Sequence, residues 1–174
     1  MSIALLTLTL LGTLALAATM VIGYVIPGAA SMREHFLAAL GSTFLLVMGH
    51  SFVMFFLLAT GVAMKEVEKE RGWGQDFRRR LVQMKSRVFP VMTGALLLVI
   101  ANFIVGAGAH TRALPLWLHA VLAWATLATC VVALYREYQV LGENNRMIEE
   151  AGIRSGRLRP DEDTAAAESR GPHG

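Results

Sequence analysis

Four histidines lie in or beside apolar runs of this chain: His35, His50, His110 and His119. Imidazole titrates near neutral pH and is the commonest metal ligand, so a histidine set among leucines and phenylalanines raises a chemical question. His50 raises it most sharply, at the centre of LLVMGHSFVMFFL, Leu45 to Leu57. On a helical wheel Thr43, Leu57 and Gly61 share its side, while Phe52, Phe55 and Phe56 fall opposite. That pattern predicts an inward histidine, because an unpaired polar group facing hydrocarbon is costly. His119 repeats it, with Ala123, Thr126, Cys130, Ala133 and Glu137 on its face and Trp117, Trp124 and Tyr135 on the other. Small and polar seams of this kind let helix backbones approach closely. Asn102, with Ala95 and Gly106, supplies a third such face and reads as packing glue between helices.

Buried histidines of this kind could ligate haem iron. Counting about 1.5 Å of rise per residue from the outer ends of the apolar runs puts His50 roughly 20 Å deep and His119 about 6 Å deep, so the two do not meet across one iron. Two other groupings follow. At mid-depth His50 shares its level with Met92, which can act as a second axial ligand, and with Thr13, Thr93, Thr129 and Cys130. Nearer the outer surface His35, Asn102, His110 and His119 fall in one layer, with His35 and His119 as the candidate ligands. The plainer role for His50 is a neutral ring hydrogen-bonded to a threonine hydroxyl or backbone carbonyl of a neighbouring helix. His110, beside glycine and threonine in a connection, reads as solvated.

The elements that position these residues follow from composition. A chain of 174 residues that is 55% hydrophobic and 17% charged is too apolar for a soluble domain of that size. Four runs, Ile3 to Pro27, Phe36 to Met64, Val88 to Ala107 and Leu114 to Tyr135, each reach the roughly 20 residues needed to span a bilayer as helix. The expectation is an all-α integral membrane protein, an up-down-up-down bundle of four transmembrane helices with cytoplasmic helical extensions. The first run, despite an Ala15 to Ala17 segment resembling a cleavage site, lacks a basic leader and reads as a retained span. The lone Cys130 excludes an intrachain disulfide.

Residues 65–87, between the second and third runs, carry eight Lys and Arg, whereas the other two connections hold Arg33 and Arg112. By the positive-inside rule the basic loop, and with it both termini, is cytoplasmic, in the plasma membrane of a bacterium. The net charge of +3 is accounted for by this sorting and calls for no nucleic acid. Within the loop Trp73, Phe77, Leu81, Met84 and Val88 recur at helical spacing after a Gly-Trp-Gly break, with Asp76 placed as N-cap. Trp73, Phe77, Leu81 and Met84, with Arg78, Arg79 and Arg80, are therefore expected to contact a partner subunit or anionic headgroups. The fourth helix is expected to continue past Tyr135 through residues 136–152. Residues 153–174, including His173, are mixed in charge and rich in small residues, and are expected to be disordered.

No nucleophile elbow, phosphate loop or zinc spacing is present, and no autonomous catalytic function is expected. A transporter reads as the weakest option, because no Asp or Glu falls inside the four runs. Two functions are left: a non-catalytic structural, accessory or assembly subunit of a membrane complex, working with other subunits or as a homo-oligomer, and a haem b-binding or quinone-contacting anchor. In architecture the four-span region with inward histidines resembles the cytochrome b anchors of respiratory complexes, and that resemblance implies haem b as cofactor. The first of the two is the reading that residue pattern alone favours.

Overall fold

A computed structural model describes residues 2–25 and 29–156, as four helices and the turns between them. These are α1 (Ser2–Val25), α2 (Ala29–Arg71), α3 (Asp76–His110) and α4 (Leu116–Arg154). All four are long and apolar enough to cross a membrane. In hydrocarbon a helix satisfies its own backbone hydrogen bonds, which is why long apolar runs take this form. Helices α2, α3 and α4 continue for several residues beyond their apolar runs at one or both ends and so carry polar extensions. Disorder is expected from residue 153, but α4 runs to Arg154 and closes through Ser155 and Gly156, so 153–156 belong to the helix end; the rest of that tail, with His173, lies outside the described residues.

The break between α2 and α3 is made by glycine chemistry. Gly72 takes φ +62, a left-handed conformation natural to glycine, and the Trp73 N–H returns to the Glu68 carbonyl at 3.0 Å, closing the helix end. The start of α3 differs from expectation: Gln75 occupies the N-cap position without a side-chain bond, and Asp76 is the first helical residue. The capping oxygen comes from the preceding helix, where buried Glu68 accepts the Arg78 N–H through Oε1 at 3.2 Å. A carboxylate there also meets the positive end of the helix dipole.

Contacts that rise along one helix fall along the next. Gly12 packs on Leu46 while Gly23 packs on His35, and Arg80 pairs with Glu150 while Gly106 packs on His119. One end of the molecule therefore gathers the 72–75 turn, Ser2 and the last turns of α4, where Ser2 Oγ donates to Asn145 Oδ1 at 2.7 Å. This is the basic end. The other, the histidine end, holds Gly23, His35 and the 111–115 turn.

Two apolar clusters fill the interior. One joins Leu16, Leu46, Ala95, Val99, Cys130 and Ala133. The larger joins Val53, Leu57, Met64, Phe77, Leu81, Met84, Val88, Met92, Val140, Leu141, Met147 and Ala151. The Phe77–Leu81–Met84 stripe is thus spent inside the chain, at 1 to 4% exposure, which corrects its assignment as a surface for another molecule. The physical reason is that α2 and α4 also continue beyond their apolar runs and cover it. Trp73 is half-buried, stacked near Phe77 and under Arg154, whose guanidinium lies 4.6 Å from the ring centroid. Arg78 and Arg79 are exposed. Outside, Phe52, Phe55, Trp117, Trp124 and Tyr135 are all exposed, as the wheel patterns have them, whereas Phe56 is half-buried against the larger cluster.

Candidate functional site

Helices α2 and α4 bring polar side chains together at three levels along the bundle: His35 with His119, His50 with Glu137, and Thr60 with Asn144. At the level nearest the basic end, Asn144 Nδ2 donates to Thr60 Oγ1 at 3.4 Å, and Asn144 Oδ1 is buried without a partner.

The middle level is sealed. His50 and Glu137 are each fully buried, and Nδ1 donates to Oε1 across 2.5 Å. Pairing is what makes such burial tolerable, since a lone carboxylate in an apolar core carries a large desolvation penalty. His50 Nε2 and Glu137 Oε2 have no further partner. The partner is a carboxylate rather than the threonine hydroxyl or backbone carbonyl expected for a packed ring. Glu137 lies two residues past the expected end of the fourth apolar run, and the helix carries it on along the same inward seam as Ala123, Thr126, Cys130 and Ala133, all buried. Glu137 is thus a carboxylate in the apolar interior although no Asp or Glu falls inside the four runs, because the buried core continues past the end of the fourth. Met92 is fully buried in the larger apolar cluster, and neither it nor His50 lines any of the cavities described below.

The level at the histidine end is open. The rings of His35 and His119 lie 6.3 Å apart, centroid to centroid, with their planes at 84°. Each is seated by a glycine on a third helix: Gly23 of α1 meets the His35 ring and Gly106 of α3 meets the His119 ring. A Cβ at Gly23 would fall 2.9 Å from His35 Cε1, and one at Gly106 would fall 2.8 Å from His119 Cε1. His35 Nδ1 donates to the Thr19 carbonyl at 3.1 Å, which leaves Nε2 with its lone pair free. His119 Nδ1 and Asn102 Oδ1 are buried with no partner.

Two cavities of about 600 and 620 Å³ flank the histidine pair, and His35, His119 and Asn102 line both. The first extends past Leu16, Met20 and Ala123, and the second past Phe36, Phe103 and Arg33. A third, of about 620 Å³, reaches from the same histidines to His110 and Arg112 at the molecular surface. The structure therefore brings His35, Asn102, His110 and His119 around shared space and holds His50 and Met92 apart from it. From His35 to His50 is 15 residues of one helix, about 22 Å.

What the open pair can do chemically follows from its spacing. Two imidazole nitrogens each about 2 Å from one metal, with ring centres about 1 Å further out, put the centroids about 6 Å apart. A hydrogen bond from the second ring nitrogen to a backbone carbonyl, as His35 has, fixes tautomer and orientation in the way ligating histidines require. Among the described residues no group of three or more His, Cys, Asp or Glu is placed to hold a metal. A haem would bring most of its iron's ligands with it, and His35 and His119 would be the residues to hold it. Comparison with protein-family models, with curated proteins and with solved structures finds no match to the chain.

Proposed function

We propose that this chain is a four-span protein of the bacterial plasma membrane that binds haem b between His35 and His119 and serves as a haem-carrying anchor subunit of a redox complex. The observation that carries the reading is the ring separation of 6.3 Å between cavities on both sides of the pair. A macrocycle entering between the rings would extend into both cavities, and Arg33 of the second cavity and Arg112 of the third are cations within the same region for its carboxylates. Residue pattern alone favours a non-catalytic accessory subunit. The histidine geometry supports the anchor, itself non-catalytic, in its place.

The test is an absorption spectrum of protein purified in detergent and supplied with haem, oxidised and then reduced with dithionite. A Soret band with sharp reduced bands is expected in the wild type and in His50→Gln, and its loss in His35→Ala and in His119→Ala at unchanged helix content. No Soret band in well-folded wild type, or its loss in His50→Gln alone, sinks the assignment.

The spanning arrangement supports an up-down-up-down bundle with both termini in the cytoplasm, given the eight basic residues between the second and third runs. Single cysteines at Gln75 and Thr111 in a Cys130→Ser background should label from opposite faces of the membrane. Labelling of both from outside intact cells would overturn this topology.

A further inference from the structure

The basic end holds a groove that neither histidine pair uses. It encloses about 880 Å³ along the outer side of α4, between α3 and the first turns of α1. Arg80 and Arg87 from α3 and Arg136 and Arg146 from α4 line it, against one carboxylate among the lining residues, Glu143. Arg80 is paired with Glu150 at 2.7 Å. Arg87, Arg136 and Arg146 are exposed, and no carboxylate among the described residues lies within ion-pair distance of them. Ile3, exposed, and Leu6, half-buried, line the same groove, so positive charge and apolar surface are presented together.

Its level matters. Arg87 immediately precedes the apolar run 88–107, and Arg136 immediately follows the run 114–135. On the four-span reading above, on which this inference rests, Arg87 stands at the boundary between hydrocarbon and headgroups, and Arg136, one residue before the Glu137 that meets His50, reaches toward it from the hydrocarbon side along the same groove. Toward the hydrocarbon side of Arg136, α4 exposes Val131, Val132 and Tyr135. Guanidinium forks bind phosphate oxygens in pairs, and basic pockets between helices on the cytoplasmic side are suited to anionic headgroups.

We propose that this groove binds one anionic phospholipid, its phosphate held by Arg87 and Arg136 and its acyl chains lying along α4. Scattered surface arginines would attract such lipids without a site, and that alternative sets the control. Binding is measured on purified full-length protein in detergent, titrated with an anionic phosphatidylglycerol or with zwitterionic phosphatidylethanolamine, reading lipid-bound protein by native mass spectrometry. Wild type should prefer the anionic lipid. Arg87→Gln/Arg136→Gln should weaken that binding about thirtyfold, each arginine contributing about a factor of five. Lys65→Gln/Lys69→Gln, which removes the same charge from exposed positions elsewhere at the basic end, should leave it unchanged.

Equal loss in both double variants, or no preference between the two lipids, overturns the site. So does equal binding of inorganic phosphate, which would make it a free-anion site. If the groove variant fails to fold, Arg136→Lys replaces it, and a loss of several-fold is still expected because ammonium does not reproduce the fork. Cysteine labelling tests the topology by itself, so a failure of the lipid site and a failure of the span reading can be told apart.

Discussion

His50 and His119 are both histidines on inward seams of apolar helices, yet one is closed off and the other is open. His50 is fully buried with a carboxylate at 2.5 Å and lines none of the cavities. His119 lies beside a second imidazole, with an unpartnered ring nitrogen and cavities around it. Chemical type is the same in the two places, and the neighbours differ. A sealed pair can specify which helices meet and at what register, whereas an open pair has space for something the chain does not itself provide. The contrast predicts opposite behaviour under mutation: the sealed pair should matter for stability, and the open one for ligand.

The largest effect should come from breaking the sealed pair on one side. His50→Leu leaves the Glu137 carboxylate buried without its donor, at a cost of about 3 to 5 kcal/mol. Removing both, as His50→Leu/Glu137→Met, should recover most of that loss, because a well-packed apolar pair avoids the desolvation penalty. His50→Gln retains a donor and should fall between. His35→Leu should change the stability of haem-free protein by less than about 1 kcal/mol, since Thr19 loses one side-chain bond and the ring borders open space. Unfolding in detergent micelles measures all four. A double variant as unstable as the single one would show that the pair is not the unit.

How much of this was legible in the residues can be judged from particular positions. The seam Ala123–Thr126–Cys130–Ala133–Glu137 and the outward aromatics could be read directly, because helical periodicity does not depend on where a helix ends. The grouping of His35, Asn102, His110 and His119 was legible for the same reason, with depth counted from a shared end. Glu137 as the partner of His50 was not. Counting from hydropathic ends places it more than 10 Å below His50, and hydropathy marks where apolar residues stop rather than where the helix or the buried core stops. The available signal was a carboxylate continuing a small-residue seam. The same error hid the fate of Phe77 and Leu81: an apolar face outside the apolar runs was assigned to a partner, although α2 and α4 extend far enough to cover it.

A smaller effect separates the two regions through their glycines. At Gly49, near the sealed pair, an added Cβ would meet the Thr9 backbone at 3.2 Å, so Gly49→Ala must move α1 from α2, at about 1 to 3 kcal/mol. At Gly106 the added Cβ meets the His119 ring, a side chain that can swing aside. Gly106→Ala should therefore fold nearly as well as wild type and lose haem. If Gly106→Ala retains a normal haem spectrum while Gly49→Ala loses it, the roles of the two levels are the reverse of those argued here.

Toward the basic end, in the extension beyond the apolar runs, Phe77→Ala should cost about 3 to 5 kcal/mol if the stripe is core, and Phe77→Glu at least as much. Loss of partner association at unchanged stability would restore the stripe to the surface role that its residues first suggested.

The smallest expected effect is at Arg80 and Glu150, the other ion pair among the described residues and the counterpart of the sealed one. Its nitrogen and oxygen lie 2.7 Å apart, close to the 2.5 Å of His50 and Glu137, but its side chains are 42% and 54% exposed. In water each charge is solvated whether or not it is paired, and holding two long side chains in one geometry costs entropy, so Glu150→Gln should shift stability by about 0 to 1 kcal/mol and less at high salt. Raising salt should leave the cost of His50→Leu nearly unchanged, because ions do not screen a pair from which water is excluded. Measuring both variants at low and high salt therefore isolates burial as the variable. A salt-sensitive His50→Leu penalty would mean that water reaches the middle level, and the distinction between a sealed and an open histidine would fail there.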